Sequence, residues 1–125
     1  MHFFTKTEYS VLTNKYQGDY KKVLCVCAIG CLRSPTAARV LQEKYGYNTR
    51  SCGFDVKNAI VPFTLKLAFW ADEIVCMESY MVHIIEEQLE EAGFSRDIQS
   101  LNLSDDYDYM QPDLCDAILL EYKVS

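Results

Sequence analysis

The sequence predicts a single α/β domain in which a four-stranded parallel sheet is covered on both faces by helices. Its 125 residues suit one domain. The run 22–27, KVLCVC, is short, apolar and rich in β-branched residues, which is typical of a strand buried on both faces. Further strand-like and helix-like segments alternate along the chain, and such alternation favours a parallel sheet.

The order of the predicted elements follows from apolar spacing and from residues that begin or end helices. Ser34 and Pro35 form an N-cap followed by a residue suited to the first helical position, and Gly46 suits the helix end. Ser79 and Gly93 bound a later helix in the same way. We expect strands at about 22–27, 47–52, 73–77 and 98–103, and helices at about 35–45, 64–70, 79–93 and from 112 onward.

The loop between the first strand and the first helix contains the residues with the most specific chemistry. Cys27 and Arg33 lie at its two ends, six positions apart. A strand, a tight loop and a helix N-terminus direct several backbone N–H groups and the positive end of the helix dipole at one small concavity. The sequence therefore predicts an oxyanion site there.

Each functional side chain of this loop suits a step of phosphoryl transfer. Backbone donors and a fixed cation favour the thiolate form of a cysteine, so Cys27 is expected to be the nucleophile. The planar fork of Arg33 holds two phosphoryl oxygens at once, which a lysine cannot do. Ser34 is expected both to donate its hydroxyl to the sulfur and to cap the helix. The alternative is a buried cysteine and a surface arginine without catalytic roles.

Cys27, Arg33, Ser34 and Pro35 match a signature of cysteine, any five residues, arginine, serine or threonine, and then proline. In this signature the chain resembles the low-molecular-weight protein tyrosine phosphatases, and most closely a short branch of predicted phosphatases with an Asp-Asp-Tyr acid loop. The similarity covers about residues 22–124 and includes the segments 50–53, 70–78, 104–107 and 110–114. The resemblance implies the strand order 2-1-3-4 and a phosphate-binding loop after strand 1.

The resemblance also implies which loop residues bind the phosphate: Ala28, Ile29, Gly30, Cys31 and Leu32, together with Arg33. Two positions depart from the family pattern. Ile29 and Gly30 replace the usual Gly-Asn pair, so a hydrogen bond of the asparagine is missing. Cys31 lies one place before the position of the family's second loop cysteine, which is Leu32 here. Whether a disulfide with Cys31 or Cys25 protects Cys27 stays open.

Asp105 is predicted to be the general acid. The segment 104–107 resembles the Asp-Pro-Tyr acid loop of the family, and the alignment equates Asp105 with the acid and Asp106 with the proline. The topological switch beside strand 1 brings the loop after strand 4 to the mouth of the same site. Two alternatives stay open, because Asp106 is also a carboxylic acid and because both aspartates suit a solvated turn.

Three aromatic side chains are expected at the mouth of the site. Tyr107 and Tyr109 would stack on a flat substrate. Phe54, which follows the second strand, would form an opposite wall. Ordinary packing is the alternative for each of the three.

The resemblance implies a cysteine-dependent protein tyrosine phosphatase, which hydrolyses aryl phosphates through a cysteinyl-phosphate without a metal or another cofactor. Its substrate would be a phosphotyrosine protein or a small aryl phosphate, with inorganic phosphate or vanadate as inhibitor. Two alternatives stay open. A thioredoxin-coupled arsenate reductase of the same fold would need two relay cysteines, and a non-catalytic phosphate- or phosphoprotein-binding module would lack turnover.

The composition limits which binding partners and which cellular compartment are expected. A formal net charge of −6 disfavours nucleic acid, and no apolar run has the roughly 18 residues that a membrane span needs. Six cysteines without a secretory signal indicate a reducing compartment, so a cytoplasmic protein is expected. Residues 1–21 form an N-terminal extension to the domain, predicted to be helical from a capping box at 5–8. It would pack on a monomer or support a weak homodimer.

Overall fold

The chain folds into an α/β domain, and the computed structural model describes residues 11–12, 20–28, 32–55, 57–104 and 106–124. Five strands and four helices lie within these residues. They are β1 (Val11–Leu12), β2 (Lys22–Cys27), α1 (Arg33–Tyr45), β3 (Asn48–Gly53), α2 (Leu65–Trp70), β4 (Glu73–Cys76), α3 (Tyr80–Ala92), β5 (Asp97–Ser100) and α4 (Pro112–Glu121). None of these described helices has the length and apolar character that crossing a membrane requires.

The sheet has the strand order β1-β3-β2-β4-β5. β2 pairs in parallel with β3 and β4, and β5 pairs in parallel with β4. Counted from β2, the four parallel strands have the order 2-1-3-4, which confirms the predicted fold class. The register sets Cys27 beside Gly53 of β3, and Val26 beside Cys76 of β4. The carboxyl ends of three strands therefore lie together.

β1 replaces part of the helix that the sequence predicts for the N-terminal extension. Val11 and Leu12 pair antiparallel with Arg50 and Thr49 of β3, so the helical prediction is wrong at these two residues. Without β1, β3 would be an edge strand with unpaired N–H and C=O groups, and pairing those groups favours extended backbone. The capping box at 5–8 and the rest of the predicted helix lie outside the described residues.

The sheet separates two apolar cores, because successive side chains of a strand point to opposite faces. In β2, Val23, Cys25 and Cys27 pack with α1 and α4. Leu24 and Val26 pack with α2 and α3 on the other face. All five side chains are buried. Helices on both faces explain why this strand is a continuous apolar run rather than an alternating one.

Glycines end two helices as predicted. Gly46 follows α1 with φ 74°, and Gly93 follows α3 with φ 89°, a left-handed conformation that favours glycine. Pro112 is the first residue of α4. Ser79 precedes α3, but its side chain makes no capping hydrogen bond, so the predicted serine cap is wrong. Its backbone is already helical, with φ −66° and ψ −29°, rather than extended as a capping residue requires.

A buried carboxylate joins several elements at the amino edge of the sheet. Glu73, the first residue of β4, is 1% exposed. It accepts hydrogen bonds from the Tyr122 hydroxyl at 2.7 Å and from the Gln99 amide at 2.8 Å, and the Lys21 ammonium lies 3.1 Å from it. Burial, with the hydrogen bonds of this network, raises the pKa of Tyr122. The residue that follows α4 is thereby fastened to the sheet.

The Tyr122→Phe variant should lower the free energy of unfolding by about 1.5–3 kcal/mol, because it removes a hydrogen bond to a buried carboxylate. Urea unfolding followed by circular dichroism measures the change. The same substitution at Tyr20, which is 45% exposed, is the matched control and should stay within about 0.5 kcal/mol of wild type. Equal losses in the two variants would contradict the role given to this network.

Candidate active site

The candidate site lies where the parallel strands end. Cys27 is the last residue of β2, and Arg33 is the first residue of α1. β2 lies between β3 and β4, so the chain connections leave it toward both sides of the sheet. Ligands of open α/β sheets bind at such a topological switch, outside the carboxyl ends of the strands. The segments that follow β3, β4 and β5 reach the same edge.

Cys27 and Ser34 form a buried polar pair. The Cys27 sulfur lies 3.1 Å from Ser34 Oγ, and the side chains are 3% and 0% exposed. Ser34 Oγ also donates to the Cys52 carbonyl at 3.3 Å. A hydroxyl has one hydrogen, so it cannot donate to the carbonyl and to the sulfur together. The Ser34 hydrogen can therefore point to the Cys52 carbonyl or to the Cys27 sulfur, and either atom of the Cys27–Ser34 pair can be the donor.

The prediction that Ser34 caps the helix is wrong. α1 begins at Arg33, one residue before Ser34 and two before the predicted start, and Leu32 holds the capping position without a side-chain hydrogen bond. Ser34 is thus inside the first turn, where its side chain reaches back to the end of β2. Thr36 Oγ1 donates to the Leu32 carbonyl at 2.7 Å in the same turn.

Arg33 is held in place by one nitrogen of its guanidinium. Nη1 donates to the Leu103 carbonyl at 2.9 Å and to the Glu78 carboxylate at 3.1 Å. The whole residue is 5% exposed. Nη2 and Nε make no hydrogen bond to the residues that the structure describes. This edge of the fork has the geometry that binds two oxygens of one phosphate.

Glu78 is a site residue that the sequence does not reveal as one. It follows the end of β4, and its side chain is 31% exposed. Since the carboxyl ends of parallel strands meet at one edge, an acid just after β4 is close to an arginine just after β2. In the sequence, only its place just after a predicted parallel strand could have indicated that Glu78 belongs to the site.

The segment between β5 and α4 is fastened at both ends to the first turn of α1. Arg33 binds the Leu103 carbonyl, and Met110 N–H donates to Thr36 Oγ1 at 2.9 Å. Asn102 and Met110 have positive φ angles of 54° and 57°, which non-glycine residues seldom adopt. Such backbone persists only where surrounding contacts hold it.

The two predicted acids lie within this fastened segment. Asp106 is exposed, and its carboxylate accepts a hydrogen bond from Ser104 Oγ at 2.9 Å. Asp106 N–H donates back to Ser104 Oγ at 3.1 Å, which closes a tight turn. Asp105 lies outside the described residues. Its role as the acid stays a prediction from the sequence.

The three predicted aromatic residues lie on two sides of the sheet. Tyr107 packs against the core formed with α1 and α4. A hydrogen bond with Tyr109 raises the pKa of Arg39, so Tyr109 lies beside the second turn of α1. Phe54 packs against the other core, formed with α2 and α3. Its N–H donates to the Cys27 carbonyl at 2.7 Å, which fixes Phe54 next to Cys27.

Tyr80 is a further aromatic residue at this edge, and the sequence prediction does not include it. It is the first residue of α3. Its ring lies 5.9 Å from the Phe54 ring at an interplanar angle of 86°. Half of Tyr80 is exposed, at 50%. The signal available in the sequence was its place two residues after Glu78, close behind a parallel strand.

Besides Arg33, two of the predicted phosphate-loop residues are described. The Ala28 carbonyl accepts a hydrogen bond from Asp55 N–H at 2.7 Å, which ties the loop to the segment after β3. Leu32 is 41% exposed. The remaining loop residues lie outside the described residues: Ile29, Gly30 and Cys31.

Comparison of the chain with protein-family models, with curated proteins and with solved structures finds no match. In the described part of the chain, no group of three or more His, Cys, Asp or Glu side chains could hold a metal ion. A buried thiol, a hydroxyl beside it and a fixed guanidinium at a helix N-terminus suit an oxyanion and a nucleophilic reaction on it.

The Arg33→Lys variant should bind inorganic phosphate at least about tenfold more weakly, because a lysine cannot hold two oxygens with one planar fork. Isothermal titration calorimetry with phosphate measures the affinity. Arg39→Lys is the matched control in the same helix, and its affinity for phosphate should not change. If both variants bind phosphate like the wild type, Arg33 does not face the oxyanion.

Proposed function

We propose that the protein is a cysteine-dependent phosphomonoesterase that acts as a protein tyrosine phosphatase. One observation supports the proposal most strongly: the Cys27 sulfur lies 3.1 Å from Ser34 Oγ, in the turn that contains the buried guanidinium of Arg33. A nucleophile, a hydroxyl that can donate to its thiolate and a fork for phosphoryl oxygens thus meet at the start of α1. The resemblance of residues 22–124 to the low-molecular-weight phosphatases points to the same reaction.

The first step of the proposed reaction transfers the phosphoryl group to the enzyme. The Cys27 thiolate attacks phosphorus, so that a P–S bond forms while the bond from phosphorus to the aryl oxygen breaks. Nε and Nη2 of Arg33 hold two phosphoryl oxygens, and the N–H groups at the start of α1 stabilise the charge on the phosphoryl group. Asp105 gives its proton to the leaving phenolate.

The second step releases phosphate. Water attacks phosphorus on the face opposite the sulfur, and the P–S bond breaks. The Asp105 carboxylate takes a proton from the attacking water, which restores the acid for the next turnover. Ser34 donates its hydroxyl to the thiolate as it leaves. The products are a phenol and inorganic phosphate, and water is the only co-substrate.

The proposed substrate is a phosphotyrosine protein or a small aryl phosphate, and inorganic phosphate or vanadate would compete with it. The nucleophile must stay reduced, which suits a cytoplasmic enzyme. The protein would act there as a monomer or a weak homodimer. Binding to nucleic acid or to a membrane is not part of the proposal, because the net charge of −6 repels both phosphate-rich surfaces.

Arsenate reduction is the weaker enzymatic alternative. It requires two further cysteines that pass a disulfide outward from the nucleophile. Cys52 and Cys76 are 1% and 0% exposed within strands. Burial raises the pKa of Cys52 well above its usual range and that of Cys76 to about 12. Protonated, buried thiols attack disulfides slowly, so these two cysteines are unsuited to a relay.

The Cys27→Ser variant should lose turnover of p-nitrophenyl phosphate and should still bind vanadate, because the nucleophile is removed while Arg33 and the backbone donors remain. Absorbance of p-nitrophenolate and calorimetry with vanadate measure the two properties. Cys115→Ser, on α4, is the matched control and should keep both. Wild-type protein that binds vanadate without turnover would instead identify a phosphate-binding module.

The Asp105→Asn variant should slow the hydrolysis of phenyl phosphate more than that of p-nitrophenyl phosphate, because a basic phenolate needs a proton in order to leave and p-nitrophenolate does not. Steady-state kinetics with both esters measure this leaving-group dependence. Asp106→Asn is the matched control, and its smaller loss should be similar for the two esters. If Asp106→Asn gives the leaving-group effect, the acid is one residue further along the chain.

A further inference from the structure

Tyr80 begins α3 and lies on the exposed side of this helix. Met81 and Ile85 of the same helix are fully buried, whereas Tyr80 is 50% exposed and Ile84, one turn further along, is 39% exposed. A half-exposed aromatic side chain at the end of a parallel strand lies where ligands of this sheet architecture bind.

Phe54 fixes the position of the Tyr80 ring. The backbone N–H of Phe54 donates to the Cys27 carbonyl at 2.7 Å, and the next residue, Asp55, donates its N–H to the Ala28 carbonyl at 2.7 Å. The Phe54 ring then meets the Tyr80 ring almost perpendicularly, at 5.9 Å and 86°. Such a pair covers at most one face of each ring. The two rings therefore form a continuous apolar surface beside the nucleophile.

The hydroxyl end of Tyr80 lies among the charged groups of the site. Burial first, and then the Glu78 carboxylate, raise the pKa of Tyr80, while the Arg33 guanidinium lowers it. Glu78 is the carboxylate that binds Arg33 Nη1 at 3.1 Å. The ring thus extends from α3 toward the fork that would hold the phosphate.

Tyr107 lies on the opposite side of this edge. It packs with the core between the sheet and helices α1 and α4, whereas Phe54 packs with the core on the other face. A substrate whose phosphate sits at Cys27 would leave the site between these two sides. A flat ring is the group that fits between aromatic walls with the largest contact.

We infer that Tyr80 is a specificity-determining residue, which with Phe54 forms the wall against which the aromatic ring of a phosphate ester packs. This inference rests on the proposed function for the phosphate end of the ligand. Aromatic pairs contribute about 0.5–1.5 kcal/mol beyond apolar burial, which corresponds to roughly 2- to 13-fold in affinity. Tyr80 therefore favours aryl over small alkyl phosphates by a factor of this size.

Two non-hydrolysable ligands test the inference by calorimetry, because they differ only in the ring. Wild-type protein should bind phenylphosphonate more tightly than methylphosphonate. Tyr80→Ala should lower the affinity for phenylphosphonate about 2- to 13-fold and leave that for methylphosphonate unchanged. Tyr80→Phe keeps the ring and should keep the preference.

Matched variants separate the ring from general disturbance of α3. Ile84→Ala, one turn further along the helix at a side chain that is 39% exposed, should bind both phosphonates like the wild type. Tyr80→Leu keeps apolar bulk without a π face, so its preference should fall below that of the wild type, but by no more than in Tyr80→Ala. This second variant also serves if the alanine variant does not fold.

The outcomes distinguish the two proposals. An unchanged preference in Tyr80→Ala and Tyr80→Leu, with phosphonates still bound, overturns the role of Tyr80 and leaves the proposed function intact. Equal losses for both phosphonates in Tyr80→Ala also overturn it, because the ring would then support the phosphate end. Wild-type protein that binds neither phosphonate nor inorganic phosphate overturns the proposed function itself.

Discussion

The candidate site depends on the contacts that hold the buried guanidinium of Arg33. A charged side chain that is 5% exposed needs an opposite charge or hydrogen-bond acceptors close by. Nη1 satisfies this condition with Glu78, 45 positions along the chain, and with the Leu103 carbonyl, 70 positions along. Both partners are at the correct place only because β4 and β5 run parallel to β2 and end at the same edge. The strand order of the sheet therefore sets where the guanidinium of Arg33 lies.

Position, rather than residue type, distinguishes Cys27 from the other strand cysteines. Cys25, Cys52 and Cys76 are equally buried, and burial raises the pKa of each, so all three remain protonated thiols. They behave as small apolar side chains of the two cores. Cys27 is the strand cysteine that has a side-chain hydroxyl of α1 at 3.1 Å. The end of a strand that faces a helix N-terminus is the one location where the same thiol can meet donors.

Much of the fold can be predicted from short stretches of sequence. The elements that were not predicted depend on contacts between residues that are distant in sequence. β2 is predicted to the residue, because its burial on both faces leaves an unbroken apolar run at 22–27. β1 is not predicted, since a two-residue strand forms only where β3 presents unpaired backbone groups.

In the site, Cys27 and Arg33 are identified by their spacing, and Asp105 is identified only through the resemblance of its segment to a family. Glu78 and Tyr80 are recognisable only once their partners are known. Those partners, Arg33 and Phe54, are distant in sequence and become neighbours through the topology of the sheet.

The first turn of α1 holds the segment after β5 at both of its ends. Arg33 Nη1 donates to the Leu103 carbonyl, and Nε and Nη2 on the other edge of the guanidinium make no hydrogen bond within the described residues. Thr36, three residues further along α1, accepts the hydrogen bond of Met110 N–H at the far end of the same segment. The first turn of α1 therefore holds the backbone at Leu103 and at Met110, before and after the position of the proposed acid. When several residues hold the same site in place, the effects of their mutations on the reaction rate do not add. In the proposed reaction, loss of Arg33 would therefore disturb the segment that contains the proposed acid as well as phosphate binding, and its effect could not be divided into a binding part and a proton-transfer part.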